Sequence, residues 1–253
     1  MFTLSAHDRV VAVVAHPDDA EIMFYGTLRI WRDAGADVTV VAATHGTNGV
    51  PLRDRLAGTR LDPRERPAEN AKSFRDTGIM VECLGMDDGT LTPDIELVSA
   101  IEDTLTRHRC TVLLTHAPHG GNDHQDHHAV ARAALNAATR VPSCTTILHG
   151  RPHAPHQGFT PRVLIDITEY LDDKIKALAE HRSQAGRYYL GEPYTRWRAA
   201  GEAWNTLPGH AAEGRAFEAL TPSLLLVSGA EIRARLPCTG PTPFLRSTEG
   251  TPV

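Results

Sequence analysis

The sequence predicts an α/β protein: a Rossmann-like, mostly parallel sheet flanked by helices, with its site at the carboxyl ends of the strands. Three observations carry that expectation. Short apolar, β-branched runs alternate with segments of helical period, the pattern of repeated β-α-β units. The runs are unbroken by charge, as befits strands covered on both faces. Two of them end in dense clusters of histidine and aspartate, and ligands of open α/β sheets bind where strands end.

Residues 10–15 read as the first buried strand, running straight into His16, Asp18, Asp19 and Glu21. A helix over 20–34 follows, with Ile22, Leu28, Ile30 and Trp31 among its apolar positions and Gly35 just beyond its end. Asp18 and Asp19 then stand at its N-terminal edge, where the helix dipole favours ionised carboxylates. A strand over 37–43 completes a β-α-β unit whose crossover is right-handed. The turn between carries His-Pro-Asp-Asp where a dinucleotide fold carries G-x-G-x-x-G, and carboxylates repel a pyrophosphate, so a nucleotide cofactor is disfavoured. Residues 45–63 form a long loop rich in Gly, Asn, Thr, Arg and Pro, expected to be a lid or binding element. Helix 63–77, ended by Gly78, strand 79–84 and helix 92–108, with Pro93 at its first position, come next. Strand 111–116 runs into the second cluster, which contains His119, Asn122, His124, Gln125, Asp126, His127 and His128, and a helix follows over 129–135. Strands at 145–148 and 163–167 enclose a His- and Pro-rich loop, 149–161, and 169–181 is an amphipathic helix. Residues 185–253 carry no securely assigned element. One domain over 1–253 suffices, with no internal repeat and no linker.

A net charge of -5, spread along the chain, gives no basic stripe for nucleic acid, and small-molecule substrates fit better. The first residues lack the basic start and apolar core of a signal peptide, and no apolar run is long enough for a membrane span. The expected location is cytoplasmic; homo-oligomerisation is left open. Cys83, Cys110, Cys144 and Cys238 have no C-x-x-C spacing and read as small hydrophobes, not as disulfides or zinc ligands.

The two clusters together read as a metal centre. Catalytic zinc takes three protein ligands, two close in sequence and one distant, and keeps a fourth position open. His16 and Asp19 form the close pair and His127 the distant third, with His116, His119 and His128 as competitors. His116 alternatively bonds backbone at its strand end, and His128 points off its helix. Zinc is the favoured ion, although imidazole and carboxylate also suit other divalent metals. Asp18 is then free as general base on water activated by the metal. His124, three residues before His127 and oriented by a carboxylate such as Asp126, would hold a proton near neutral pH, stabilise an oxyanion and protonate a leaving amine. The reaction so described is amide hydrolysis. Glu21 has no role beyond support of a ligand, and His7, His108, His181 and His210 read as solvated or locally bonded.

These same residues resemble a known family. Ala15-His16-Pro17-Asp18-Asp19-Ala20-Glu21 matches the A-H-P-D-D-x-E signature, and His124-Gln125-Asp126-His127 is similar to the H-P-D-H signature, of the LmbE-like (PIG-L) zinc-dependent N-deacetylases. Weaker matches run over roughly residues 8–184: Gly26-Thr27, Arg66-x-x-Glu69, Asp166-Ile-Thr, Lys174 and His181-Arg-Ser-Gln184. The resemblance implies a Rossmann-like fold, His16, Asp19 and His127 as zinc ligands, Asp18 as base, and His124 as polarising acid oriented by Asp126. It also implies that Arg66 contacts substrate hydroxyls, against the plainer reading of a first-turn arginine paired with Glu65 or Glu69. Gln125 departs from the family's Pro, which loosens the loop without removing a ligand. The loop residues His149, Arg151, His153 and His156 match nothing in the pattern. Members deacetylate N-acetylglucosamine units, so the implied activity is metal-dependent removal of acetyl from such a sugar conjugate. A related amidase for a larger acyl group and a non-catalytic sugar-binding module on the same fold are the alternatives; intact Asp18 and His124 argue against the second.

Overall fold

A computed structural model describes residues 6–118, 124–152 and 159–226. The chain divides into two units, Leu4–Leu225 and a second made of Met1–Thr3 with Leu226–Val253. Of the second, Leu226 alone is described; the sheet and its helices all belong to the first. Among the described residues no helix is long and apolar enough to cross a membrane.

Seven strands form one sheet: β1 (Arg9–Val14), β2 (Asp37–Thr44), β3 (Met80–Met86), β4 (Val112–His116), β5 (Thr146–Gly150), β6 (Val163–Asp166) and β7 (Phe217–Leu225). Their order is β3-β2-β1-β4-β5-β7-β6. The first five are parallel, and β7 runs antiparallel to both of its neighbours. The mostly parallel sheet is thus as expected, and chain direction switches only at its late edge. The apolar runs read as strands are buried along β1, β4 and β5, because helices cover both faces.

The helices are α1 (Asp19–Asp33), α2 (Leu52–Leu56), α3 (Glu65–Ser73), α4 (Ile95–Arg107), α5 (Gln125–Ala138), α6 (Leu171–Ala179), α7 (Glu192–Thr206) and α8 (Pro208–Ala212). One apolar cluster packs the inner faces of α4 and α5 onto β1 and β4; it includes Leu97, Ile101, Leu105, Val130 and Ala134. Free thiols Cys110 and Cys144 lie inside it as small hydrophobes, and Cys83 is a free, partly buried thiol on β3. Gly26 lets α1 come close to the end of β6: a Cβ there would collide with the Ile167 side chain.

Several boundaries move for identifiable reasons. Helix α4 starts at Ile95, not 92, because Asp94 caps it by accepting from Leu97 N at 3.1 Å, which leaves Pro93 outside. Helix α5 starts at Gln125, four residues before the expected 129, because the His124 side chain caps it by accepting from Asp126 N. The 45–63 loop contains the short helix α2. Within 185–253, the stretch without an expected assignment, α7, α8 and β7 are regular elements. His119, Asn122, His153 and His156 lie outside the described residues.

Candidate active site

The carboxyl ends of β1 and β4 lie side by side, which brings the two halves of the site together across more than a hundred residues. Beyond β1, the chain turns at Asp18, whose φ of 150° is in a region that non-glycine residues rarely adopt. Asp19 then opens α1. From the neighbouring strand end, His124 caps α5 and puts Asp126 and His127 in its first turn.

Three electron-pair donors converge. His16 Nδ1 lies 3.2 Å from His127 Nε2 and 3.3 Å from Asp19 Oδ2, and His127 Nε2 lies 3.3 Å from Asp19 Oδ1. All three side chains are buried. Donor atoms facing one another at this range can share a cation. Bonds of about 2.0–2.1 Å at tetrahedral angles place ligand atoms about 3.3 Å apart. The donor set therefore fits a divalent metal ion, and the arrangement brings together the three residues expected as ligands.

His16 is oriented from behind. Its Nε2 faces Asp88 Oδ1 at 3.2 Å and Asp126 Oδ2 at 3.3 Å, carboxylates that would hold the ring hydrogen on Nε2 and leave the Nδ1 lone pair to a bound metal. The Asp126 carboxylate also accepts from Gly89 N at 2.7 Å and Leu91 N at 3.1 Å. This corrects the expected role of Asp126: its carboxylate orients His16, and what it offers His124 is a backbone N–H, donated to Nδ1 at 3.3 Å. Burial opposes the charge on Asp88, yet His16 and the Asn48 amide outweigh it and hold Asp88 at about 2.

His124 differs from expectation in a second way. Burial, with the imidazole of His16 next in weight, pushes it down to about 4, so it is neutral near pH 7. Since Nδ1 accepts the Asp126 amide, Nε2 carries the ring hydrogen. His116, a competitor for the metal, also faces the donors: its Nε2 lies 3.4 Å from Asp19 Oδ2, which makes Asp19, His116 and His127 a second candidate ligand group, its ring stacks on His127 with centroids 4.1 Å apart, and Nε2 accepts from Ala15 N at 3.0 Å. The bond from Ala15 matches the alternative of a strand-end histidine bonded to backbone.

Asp18 Oδ1 receives Arg66 Nη2 at 2.9 Å, both side chains being buried. Burial raises the Asp18 carboxyl, and Arg66 pulls in the opposite direction. Arg66 also donates to the carbonyls of Pro17 at 3.1 Å and Gly46 at 3.1 Å, so it fixes Asp18 and the turn around it and pairs with neither Glu65 nor Glu69. Glu21 is fully buried but touches none of the three donors: it accepts from Asn70 Nδ2 at 2.8 Å, from Ser73 Oγ and from His181 Nε2 at 2.8 Å. The expectation that it supports a metal ligand is therefore replaced by a brace between α1, α3 and the turn after α6. His181, expected to be solvated or locally bonded, is 2% exposed and belongs to that brace. His149 sits in β5, not in a loop, bonded to His116 O at 2.8 Å and Ser223 Oγ at 2.6 Å.

The pocket in front of the donors is lined by His16, Asp18, Asp19, His124 and His127, and by Asn48, Arg55, Arg66, Asp88, Gln184, Arg187 and Tyr189. Sequence reasoning missed Asp88, although Asp87-Asp88-Gly89 follows the β3 run just as Asp18-Asp19 follows β1.

An α/β sheet with imidazole and carboxylate donors converging at the ends of adjacent parallel strands defines a metal-binding pocket of the hydrolytic type. The chain belongs to the PIG-L family: it matches the family described as GlcNAc-PI de-N-acetylase over residues 11–138. It is 31% identical to a probable N-acetyl-α-D-glucosaminyl L-malate deacetylase of Bacillus cereus, over 69% of this chain and 83% of that protein. It is 26% identical to a 1D-myo-inositol 2-acetamido-2-deoxy-α-D-glucopyranoside deacetylase of Saccharopolyspora erythraea, over 83% of this chain and 84% of that one. Among solved structures, the 4-carboxy-2-hydroxymuconate hydratase of Pseudomonas putida superimposes with a TM-score of 0.70 at 20% identity, over 87% of this chain and 97% of that one. That likeness is one of fold alone, because function resides in the site.

Proposed function

We propose that this protein is a zinc-dependent amide hydrolase that removes acetyl from an N-acetylglucosamine-type conjugate. The observation that carries the reading is the convergence of His16 Nδ1, His127 Nε2 and the two oxygens of the Asp19 carboxylate at 3.2–3.3 Å, beside an Asp18 pinned by Arg66. Two sequence relatives named as deacetylases of glucosamine conjugates support the substrate class. His16, Asp19 and His127 would hold the ion, whose Lewis acidity lowers the pKa of a water from about 15.7 to about 7.

The chain's own groups do the rest. Arg66 occupies Asp18 Oδ1, which leaves Oδ2 to take a proton from the attacking water. His124 donates its Nε2 hydrogen to the carbonyl oxygen as negative charge builds there. As the carbon–nitrogen bond breaks, the proton collected by Asp18 passes to the amine nitrogen, and acetate and a free amine leave. Arg66 acts through Asp18 as a positioning residue. The test is acetate release from a panel of N-acetylglucosaminides by zinc-loaded protein. Asp18→Asn should lower turnover by about 10²–10⁴-fold while retaining its zinc. Full activity in that variant removes Asp18 as the base. Release of a larger acid, with no acetate, identifies the related amidase.

A further inference from the structure

Three of the four cysteines fall among the described residues, and two of those three meet. Cys110 stands two residues ahead of Val112 on β4, and Cys144 two residues ahead of Thr146 on β5; Val112 and Thr146 are the first paired positions of those parallel strands. The pairing continues past the strand ends, because Thr111 O accepts from Thr145 N at 3.0 Å and from Thr146 N at 3.1 Å. The two cysteines thus oppose each other inside one apolar cluster, and their thiols share a hydrogen bond. Neighbouring strands lie about 4.8 Å apart, within the roughly 4.4–6.8 Å between Cα atoms that a disulfide spans.

The two thiols are not equivalent. Cys110 has no exposed surface, whereas Cys144, at the turn that leads into β5, is 7% exposed. Their hydrogen bond lowers the pKa of Cys144 against the effect of burial, and the same bond, together with burial, raises that of Cys110. Cys144 is therefore the sulfur that a small oxidant meets first, as thiolate, and Cys110 is the thiol behind it. Cys83 is differently placed: on β3 its sulfur donates to Thr44 O at 3.4 Å and faces no other cysteine among the described residues.

We propose that Cys110 and Cys144 are an oxidation site, closing to a reversible disulfide when the folded protein meets hydrogen peroxide. The Cys144 thiolate attacks one peroxide oxygen; an S–O bond forms, the O–O bond breaks and hydroxide leaves. The Cys110 sulfur then attacks the resulting sulfenic sulfur, so that the S–S bond forms and the hydroxyl departs. The two thiol protons and the two hydroxyls make two waters; each sulfur gives one electron, and peroxide takes both. The chain between the two cysteines carries β4, His124, Asp126, His127 and α5, so the bridge closes a loop around the distal half of the candidate site. Its formation is independent of what the metal pocket hydrolyses.

The experiment is peroxide titration of the full-length, zinc-loaded protein, followed by alkylation of the remaining thiols, proteolysis and mass mapping. A peptide joining Cys110 to Cys144, lighter by two hydrogens and split by dithiothreitol, is expected, and the Cys83→Ser/Cys238→Ser variant should give the same link. Cys110→Ser should stop the reaction at Cys144, where dimedone traps the sulfenic acid, and Cys144→Ser should leave Cys110 reduced. The bridged protein should melt about 5–10 °C above the reduced one, since the closed loop restricts the unfolded chain. Thiols that both remain open to alkylation after peroxide overturn the proposal, and so does Cys144 carried on to sulfinic acid without a link. A link found only in urea-unfolded protein also overturns it, because the fold then has no part in bringing the sulfurs together.

Discussion

At the scale of single residues, His16 is the most constrained group in the site. It is held between Asp19 on one ring nitrogen and the carboxylates of Asp88 and Asp126 on the other. Replacing Asp126 by Ala should weaken retention of the divalent ion about 10–100-fold, as loss of a ligand's hydrogen-bond partner does, measurable by competition with a chelator; unchanged retention would return Asp126 to His124. The sequence suggested that partnership because the two are neighbours, but residues two apart at a helix start face different directions. The proposed ligands were legible as candidates in the sequence because buried imidazoles and carboxylates at strand ends have few other uses. Asp88 was less legible because its partner, His16, is seventy positions away. The Glu21–His181 pair makes a prediction of opposite character. Burial opposes the charge on His181, yet Glu21 outweighs it and raises its pKa above the ordinary 6.5. The stabilisation is therefore complete below pH 6.5 and is lost as pH rises through the raised value. Urea unfolding should show stability falling on the alkaline side of 6.5, and Glu21→Gln should flatten that decline; an unaltered decline in the variant assigns it to another group.

Among the elements, β7 does the most that its sequence does not advertise. Its Glu218 is buried and accepts from Lys174 Nζ at 2.7 Å, Gly26 N at 3.0 Å, Thr27 N at 2.8 Å and Thr27 Oγ1 at 2.6 Å. Lys174 also donates to Ile22 O at 3.0 Å. One carboxylate thereby fastens β7 and α6 to the helix that begins at Asp19. Glu218→Ala would strand a buried ammonium, so denaturant unfolding should register a loss of about 3–5 kcal/mol; a loss below about 1 kcal/mol would mean the lysine finds water. The strand escaped notice because Glu218 and Pro222 interrupt its apolar run. Pro222 is tolerated where the register with β5 shifts, and the residue beside it, Ser223, turns its hydroxyl to His149. The early strands were legible because each is a continuous buried run; boundaries such as the start of α5 depended on a histidine cap, which is an uncommon capping residue.

For the molecule as a whole, the site is made by the sheet, and an ion held there would join donors from the ends of two adjacent strands. Removing the ion with a chelator should lower thermal stability, by about 2.7 kcal/mol where the free ion had stood at a hundred times its dissociation constant. Identical melting with and without chelator would count against the metal centre. The shared fold with a hydratase shows why layout was predictable while substrate was not: alternating strands and helices specify the frame, and a few side chains on loops specify the chemistry. The strand order has a further consequence. Among the described residues β6 joins the sheet only through β7, which follows it by some fifty residues. While the chain is being made, β6 therefore has no strand to pair with, and Lys174 no carboxylate, until residues 217–225 have left the ribosome. Synthesis order thus bears on folding order: a nascent chain stopped before β7 already contains every proposed ligand, yet its first helix still lacks the Glu218 fastening.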